Sequence, residues 1–179
     1  GWSGSNLNHL VSNDNGKTWS KPERIVISPF FNISTLVRTT AVSLSNGGFY
    51  LPVYHEFIRK YPEILLFDSN GKFVEQIRIS SKNHMLQPSI VPISSNEAWA
   101  YFRNGGYGND NSHNLFMSKT LDGGRKWSAP VATNLINHDA SIVAENLNDG
   151  RYMMIYNQGE RRNQLWLAIS NDGINWKPV

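Results

Sequence analysis

Several side chains that could handle an anionic substrate recur along this chain. Arg38, Arg103, Arg161 and Arg162 each offer a guanidinium, whose planar fork grips a carboxylate through two parallel hydrogen bonds. Glu56 follows Tyr54 by two residues, and Asp139 precedes an apolar run; carboxylates so placed suit proton transfer. His55, His84 and His138 could orient a substrate or move protons. Their spacing is not that of metal ligands, and no metal or cofactor is expected. Gln87 and Asn157 add amides near the same strand ends. The run Gly105-Gly106-Tyr107-Gly108 opens no helix, so it reads as a substrate loop rather than a phosphate loop. Structural roles compete at each position. Arg103 could pair with Asp110, Arg38 could be a structural tie between neighbouring units of the fold, and Glu56 could be a solvated charge beside Arg59 and Lys60. Asp139 could cap a turn, and Tyr54 and Tyr156 could be packing residues.

The elements that position these groups follow from composition and repeats. The chain has 179 residues, 40% hydrophobic and 12% aromatic, which suffices for a core. Only 17% are charged and no long helical period is visible, so the class is all-β. There is no apolar run of ~18 residues, so no membrane helix is expected. The net charge is +3 and the basic residues never cluster, which argues against nucleic acid and allows mild attraction for acidic partners. No cysteine is present, which excludes disulfides and thiolate chemistry. The chain begins Gly1-Trp2-Ser3, without Met, and reads as an internal piece.

Three segments repeat: Ser12-Asn13-Asp14-Asn15-Gly16-Lys17-Thr18-Trp19, Thr120-Leu121-Asp122-Gly123-Gly124-Arg125-Lys126-Trp127, and Ser170-Asn171-Asp172-Gly173-Ile174-Asn175-Trp176. The step from Asp122 to Asp172 is 50, and from Asp14 to Asp122 it is 108, with a degenerate copy at Asp68-Ser69-Asn70-Gly71-Lys72-Phe73. The Asp carboxylate can accept turn N–H groups, the Gly can take positive φ, and the Trp can cover the turn. These residues are therefore structural. A calcium loop is excluded, because the later acidic ligand is missing.

Turn signals at 46–48, 95–97 and 148–150 fall in phase with the boxes. The pattern predicts four strands, A to D, per repeat of about 50 residues, which is a β-propeller blade. Residues 1–30 end one blade, 31–80 and 81–133 form two more, and 134–179 form a blade lacking its outer strand. The boxes are C–D turns and mark one face. The B–C and D–A loops, which hold the chemically rich residues, mark the other.

These boxes resemble the Asp-box, or BNR-repeat, motif of sialidases (neuraminidases). Gly1-Trp2-Ser3-Gly4-Ser5-Asn6-Leu7-Asn8, Leu51-Pro52-Val53-Tyr54-His55-Glu56 and Leu86-Gln87-Pro88-Ser89 resemble a bacterial branch of predicted neuraminidases. The resemblance implies a six-bladed propeller, of which this chain is about half. It implies a hydrolase that removes terminal acidic sugars from glycans, secreted or periplasmic. It implies an arginine set for the sugar carboxylate, drawn from Arg38, Arg103, Arg161 and Arg162. Tyr54 with Glu56 would supply nucleophile and base, and Asp139 the acid. His55, Gln87, His138 and Asn157 would contact substrate. The Arg-Ile-Pro triplet that carries the family's first carboxylate-binding arginine is absent from these residues and would lie before Gly1. Asp boxes also occur in polysaccharide lyases acting on uronic acids and in non-catalytic binding propellers, so these readings stand beside the hydrolase. Two copies of a stable piece this size would complete a ring as a homodimer.

Overall fold

The computed structural model describes all residues except 1, 31, 46, 82–83, 106–112 and 159–161. Among the described residues, fifteen strands form four antiparallel sheets in chain order. The first sheet pairs β1 (Asn8–His9) with β2 (Glu23–Arg24). In the second, β3 (Thr35–Val37) and β4 (Val42–Ser43) share the inner edge of β5 (Phe49–Glu56), followed by β6 (Lys60–Phe67) and β7 (Phe73–Arg78). The third is β8 (Met85–Pro92), β9 (Ala98–Asn104), β10 (Asn114–Thr120) and β11 (Val131–Ile136). The fourth is β12 (Val143–Asn146), β13 (Tyr152–Asn157), β14 (Leu165–Ser170) and β15 (Trp176–Pro178). Each sheet is one propeller blade, and three apolar cores lie between successive blades. Ile25, Val53, Leu65 and Phe67 fill the first, Ile64, Met85, Ile90, Phe102 and Phe116 the second, and Tyr101, Leu115, Met117, Met154 and Tyr156 the third. Each such side chain, fully buried, stabilises by about 1.5–3 kcal/mol.

Two features differ from the sequence expectation. The fourth blade has its outer strand. Asn134 on β11 accepts from Trp176 N at 2.8 Å and donates to Trp176 O at 2.8 Å, so a side-chain amide of the preceding blade stitches β15 in place. The inner strand of the second blade, expected unbroken over 35–43, is split, and Arg38 lies in the gap.

The boxes do what their composition implies. Asp14 accepts from Thr18 N at 2.9 Å and Thr18 Oγ1 at 2.6 Å. Asp122 accepts from Lys126 N at 2.9 Å, and Asp172 from Asn175 N at 2.7 Å. The degenerate copy keeps the bonds to Asp68, from Asn70 N and Lys72 N, both at 2.9 Å. Hydrogen bonds to the charged form lower Asp14, Asp122 and Asp172. The Thr18 side chain leads in holding Asp14 at about 2, the Lys126 backbone leads for Asp122, and the Asn175 side chain leads for Asp172. Each later box also docks on the blade before it: Tyr101 donates to Gly173 O at 2.9 Å, and Tyr50 donates to Gly123 O. Tight approach follows, since a Cβ on Gly124 would lie 2.7 Å from Tyr50 Oη. Trp176 is buried over its box, whereas Trp19 is 61% exposed.

Candidate functional site

The face opposite the boxes is built on a repeated corner. Ser34, His84 and Asp139 each precede an inner strand, and each lies in the left-handed region, with φ of 67°, 67° and 52°. L-residues adopt this region only where the surroundings hold them there. The corner carbonyls are all engaged. Ser34 O accepts from Glu56 N at 2.9 Å and His84 O from Gly105 N at 2.9 Å. In the fourth blade Asp139 O accepts from Arg162 Nη2 at 2.6 Å.

Around these corners lies a cavity of about 390 Å³, within the size range of small-molecule sites. Leu36, Val37, Arg38, Tyr54, Glu56, Gln87, Arg103, Ser141, Arg162 and Trp2 line it, so the second, third and fourth blades all contribute. Tyr54 and Glu56 share one face of β5, because side chains alternate along a strand. Arg38 donates through Nε to Ser141 Oγ at 3.1 Å, and Ser141 in turn donates to Gln87 Oε1 at 2.7 Å. Arg103 donates through Nε to Asp139 Oδ1. Arg162 Nη2 lies 3.7 Å from Asp139 Oδ2. Arg38 and Arg103 are thus both fixed through Nε, the edge of the guanidinium away from the terminal amino pair. Glu56 pairs with Lys60 at 3.0 Å. The four cations Arg38, Arg103, Arg162 and Lys60 outnumber the two carboxylates Glu56 and Asp139. Below the rim, burial first and then the charge of Lys60 push the His84 imidazole down, and Asp139 opposes them.

The structure therefore brings together Arg38, Tyr54, Glu56, Gln87, Arg103, Asp139 and Arg162. Three residues expected to contact substrate do not line this cavity. His55 points to the other face of β5, where it stacks on Tyr61 at 4.9 Å, and burial followed by the Arg78 charge lowers its pKa. His138 packs on His113, with ring centroids 4.1 Å apart. Asn157 is buried and donates to Gln164 O at 2.7 Å, closing its own loop. Two structural alternatives also hold in part: Arg38 does tie the second blade to the fourth, and Glu56 does meet Lys60. Asp110, Arg161, Tyr107 and Glu160 lie outside the described residues. Sequence reasoning missed Ser141 and Trp2. A Trp in the stretch before β1 was the available signal for the second.

The fold is that of a sialidase-like propeller of Asp-box blades. The chain belongs to the BNR repeat-like domain family, whose model matches residues 1–179. Among solved structures it is similar to a protein of unknown function from Dyadobacter fermentans DSM 18053, at 19% identity and TM-score 0.73, over 92% of this chain and 48% of that one. It is similar to the Hadza microbial sialidase Hz136 at 16% identity and TM-score 0.74, over 96% of this chain and 35% of that one. It is also similar to the intramolecular trans-sialidase from Ruminococcus gnavus in complex with oseltamivir carboxylate, at 17% identity and TM-score 0.72, over 96% and 38%. This chain spans less than half the length of each. Among curated proteins none matches significantly. No helix among the described residues is long and apolar enough to cross a membrane.

Proposed function

We propose that this chain forms the sugar-binding face of a sialidase-type glycoside hydrolase that acts on terminal acidic sugars outside the cytoplasm. The observation that carries the reading is the convergence of Arg38, Arg103 and Arg162 on one cavity, the first two held through Nε. That arrangement presents amino pairs pre-oriented for a carboxylate, and rigid donors bind charge without reorganisation. Tyr54 is the nucleophile and Glu56, on the same strand face, takes its proton. Asp139, expected as the acid, is assigned instead to orient Arg103 and Arg162, which already engage it. The sialidase neighbours support the glycan class.

A second reading, an acidic-glycan binder without turnover, draws on one observation: Glu56 of the cavity lining and Asp139 beside Arg103 are both in ion pairs. A fluorogenic sialoside assay on the intact protein separates the two. Hydrolysis that is lost in Tyr54→Phe and Arg103→Ala supports the enzyme. Binding of the sialoside without release of the fluorophore supports the binder.

A further inference from the structure

The innermost strand of the third blade, β8, carries one residue too many. Leu86 pairs with Arg103 and Ser89 with Tyr101, so β8 takes three steps where β9 takes two. The extra residue makes a bulge, a device that re-aims a side chain. Gln87 sits in that bulge in the left-handed region, with φ of 53°, and it lines the arginine cavity although it is only 8% exposed. An L-residue stays in that region only where its surroundings hold it there. Both neighbouring blades do so. Thr39 Oγ1 of the second blade donates to Pro88 O at 2.8 Å, and Ala144 N of the fourth blade donates to Ser89 Oγ at 3.0 Å.

From this bulge a hydrogen-bond chain of one polarity runs to Arg38. A guanidinium Nε–H can only donate, so Ser141 Oγ accepts it, at 3.1 Å. The single hydroxyl hydrogen of Ser141 is then left for Gln87, whose Oε1 accepts it at 2.7 Å. Side chains of three blades meet in this chain. Arg38 differs from Arg103 in what it meets at Nε. Arg103 meets the carboxylate of Asp139, which offsets part of its charge. Arg38 meets a neutral hydroxyl backed by a neutral amide, which fixes direction and offsets no charge.

We propose that Gln87 is a positioning residue for Arg38, acting through the Ser141 hydroxyl. The bulge sets the Gln87 amide, the amide sets the hydroxyl, and the hydroxyl holds the Nε edge of the guanidinium, so that its terminal amino pair is left for a ligand. This rests on the proposed reading of the arginine cavity and deepens it: one of the three guanidiniums is oriented by a neutral relay that leaves its whole charge for the carboxylate. Donors fixed in this way bind charge without rearranging at the moment of contact.

The test measures, by calorimetric titration of the intact protein, how much more tightly the methyl glycoside of sialic acid binds than its carboxyl methyl ester. That ratio reads the grip on the carboxylate and cancels contacts that both ligands share, so a merely structural loss does not move it. Ser141→Ala and Gln87→Leu are each expected to lower the ratio about tenfold, the scale of one lost hydrogen bond to a charged group. Ser141→Thr keeps the hydroxyl and should retain most of the ratio. With Arg38→Ala already in place, Ser141→Ala should lower it no further, because the relay then has nothing to orient. Ser141→Ala removes only a hydroxyl, so it decides the matter even where Gln87→Leu does not fold. A Ser141→Ala variant that keeps the wild-type ratio, or that lowers it equally with and without Arg38, overturns the relay and leaves the arginine site standing. A wild type that does not distinguish acid from ester overturns the arginine-cavity reading and the relay with it.

Discussion

Arg103 donates through Nε to Asp139, and Asp139 in turn accepts Arg162 at its carbonyl oxygen, so one residue at the corner of the fourth blade orients two guanidiniums from two blades. Arg103 is largely buried, which makes the pair more than a surface contact. Substitution at either side chain should release Arg103 from its partner, whereas Arg162 keeps its bond to the main-chain carbonyl of Asp139. Arg103→Ala and Asp139→Asn are each expected to weaken acidic-sugar binding at least about tenfold, with the double variant losing less than the product of the two. Calorimetric double-mutant cycles check this. Strict additivity would mean that Asp139 does not act through Arg103.

The box tryptophans should differ in worth although they occupy matching motif positions. Trp176 is 3% exposed and Trp19 is 61% exposed. Trp176→Ala is expected to cost about 3–5 kcal/mol and Trp19→Ala much less, measured by denaturant unfolding.

Two glycines isolate the cost of box docking. Gly124 has φ +87° and its added Cβ would meet Tyr50 Oη at 2.7 Å, while Gly150 has φ +88° and meets nothing within 4 Å. Gly150→Ala should carry only the backbone cost, about 1 kcal/mol. Gly124→Ala should cost clearly more, and equal melting temperatures for the two would refute the docking contact.

Glu63 is 3% exposed, and its carboxyl is pushed up by burial against the opposing help of Gln76 and Arg78. Its folded pKa therefore lies above the unfolded value of about 4.3. The native state holds the proton longer, so this group's contribution falls as pH rises through that window. Glu63→Gln should remove the fall and leave the protein as stable or more stable at neutral pH. The box aspartates act with the opposite sign. Asp14, held at about 2 chiefly by the Thr18 side chain, contributes above the ordinary carboxylate range, and that contribution disappears as pH drops towards 2. Unfolding midpoints across pH for Glu63→Gln and Asp14→Ala check both directions.

Much of the architecture is legible in the residues because Asp-box turns impose a local chemistry that repeats. Asp14, Asp68, Asp122 and Asp172 all close C–D turns in the structure. Arg103, Glu56 and Gln87 are legible as cavity-lining residues because they sit near strand ends that meet on one face. His55 is the instructive miss. The two-residue period of β5 puts Tyr54 and Glu56 towards the cavity and so turns His55 away. His138 precedes a left-handed corner, which sequence pattern does not reveal, and that corner sends it against His113. The outer strand β15 depends on Asn134, a contact made 42 residues away, and no local signal announces it.

The most direct test of the central claim is recognition of the carboxylate itself. Titration of the intact protein with the methyl glycoside of sialic acid, and with the same compound as its carboxyl methyl ester, isolates one charge. The three-arginine cavity predicts that the free acid binds, that the ester loses most of that affinity, and that Arg103→Ala brings the two together. Equal binding of acid and ester by the wild type would contradict it.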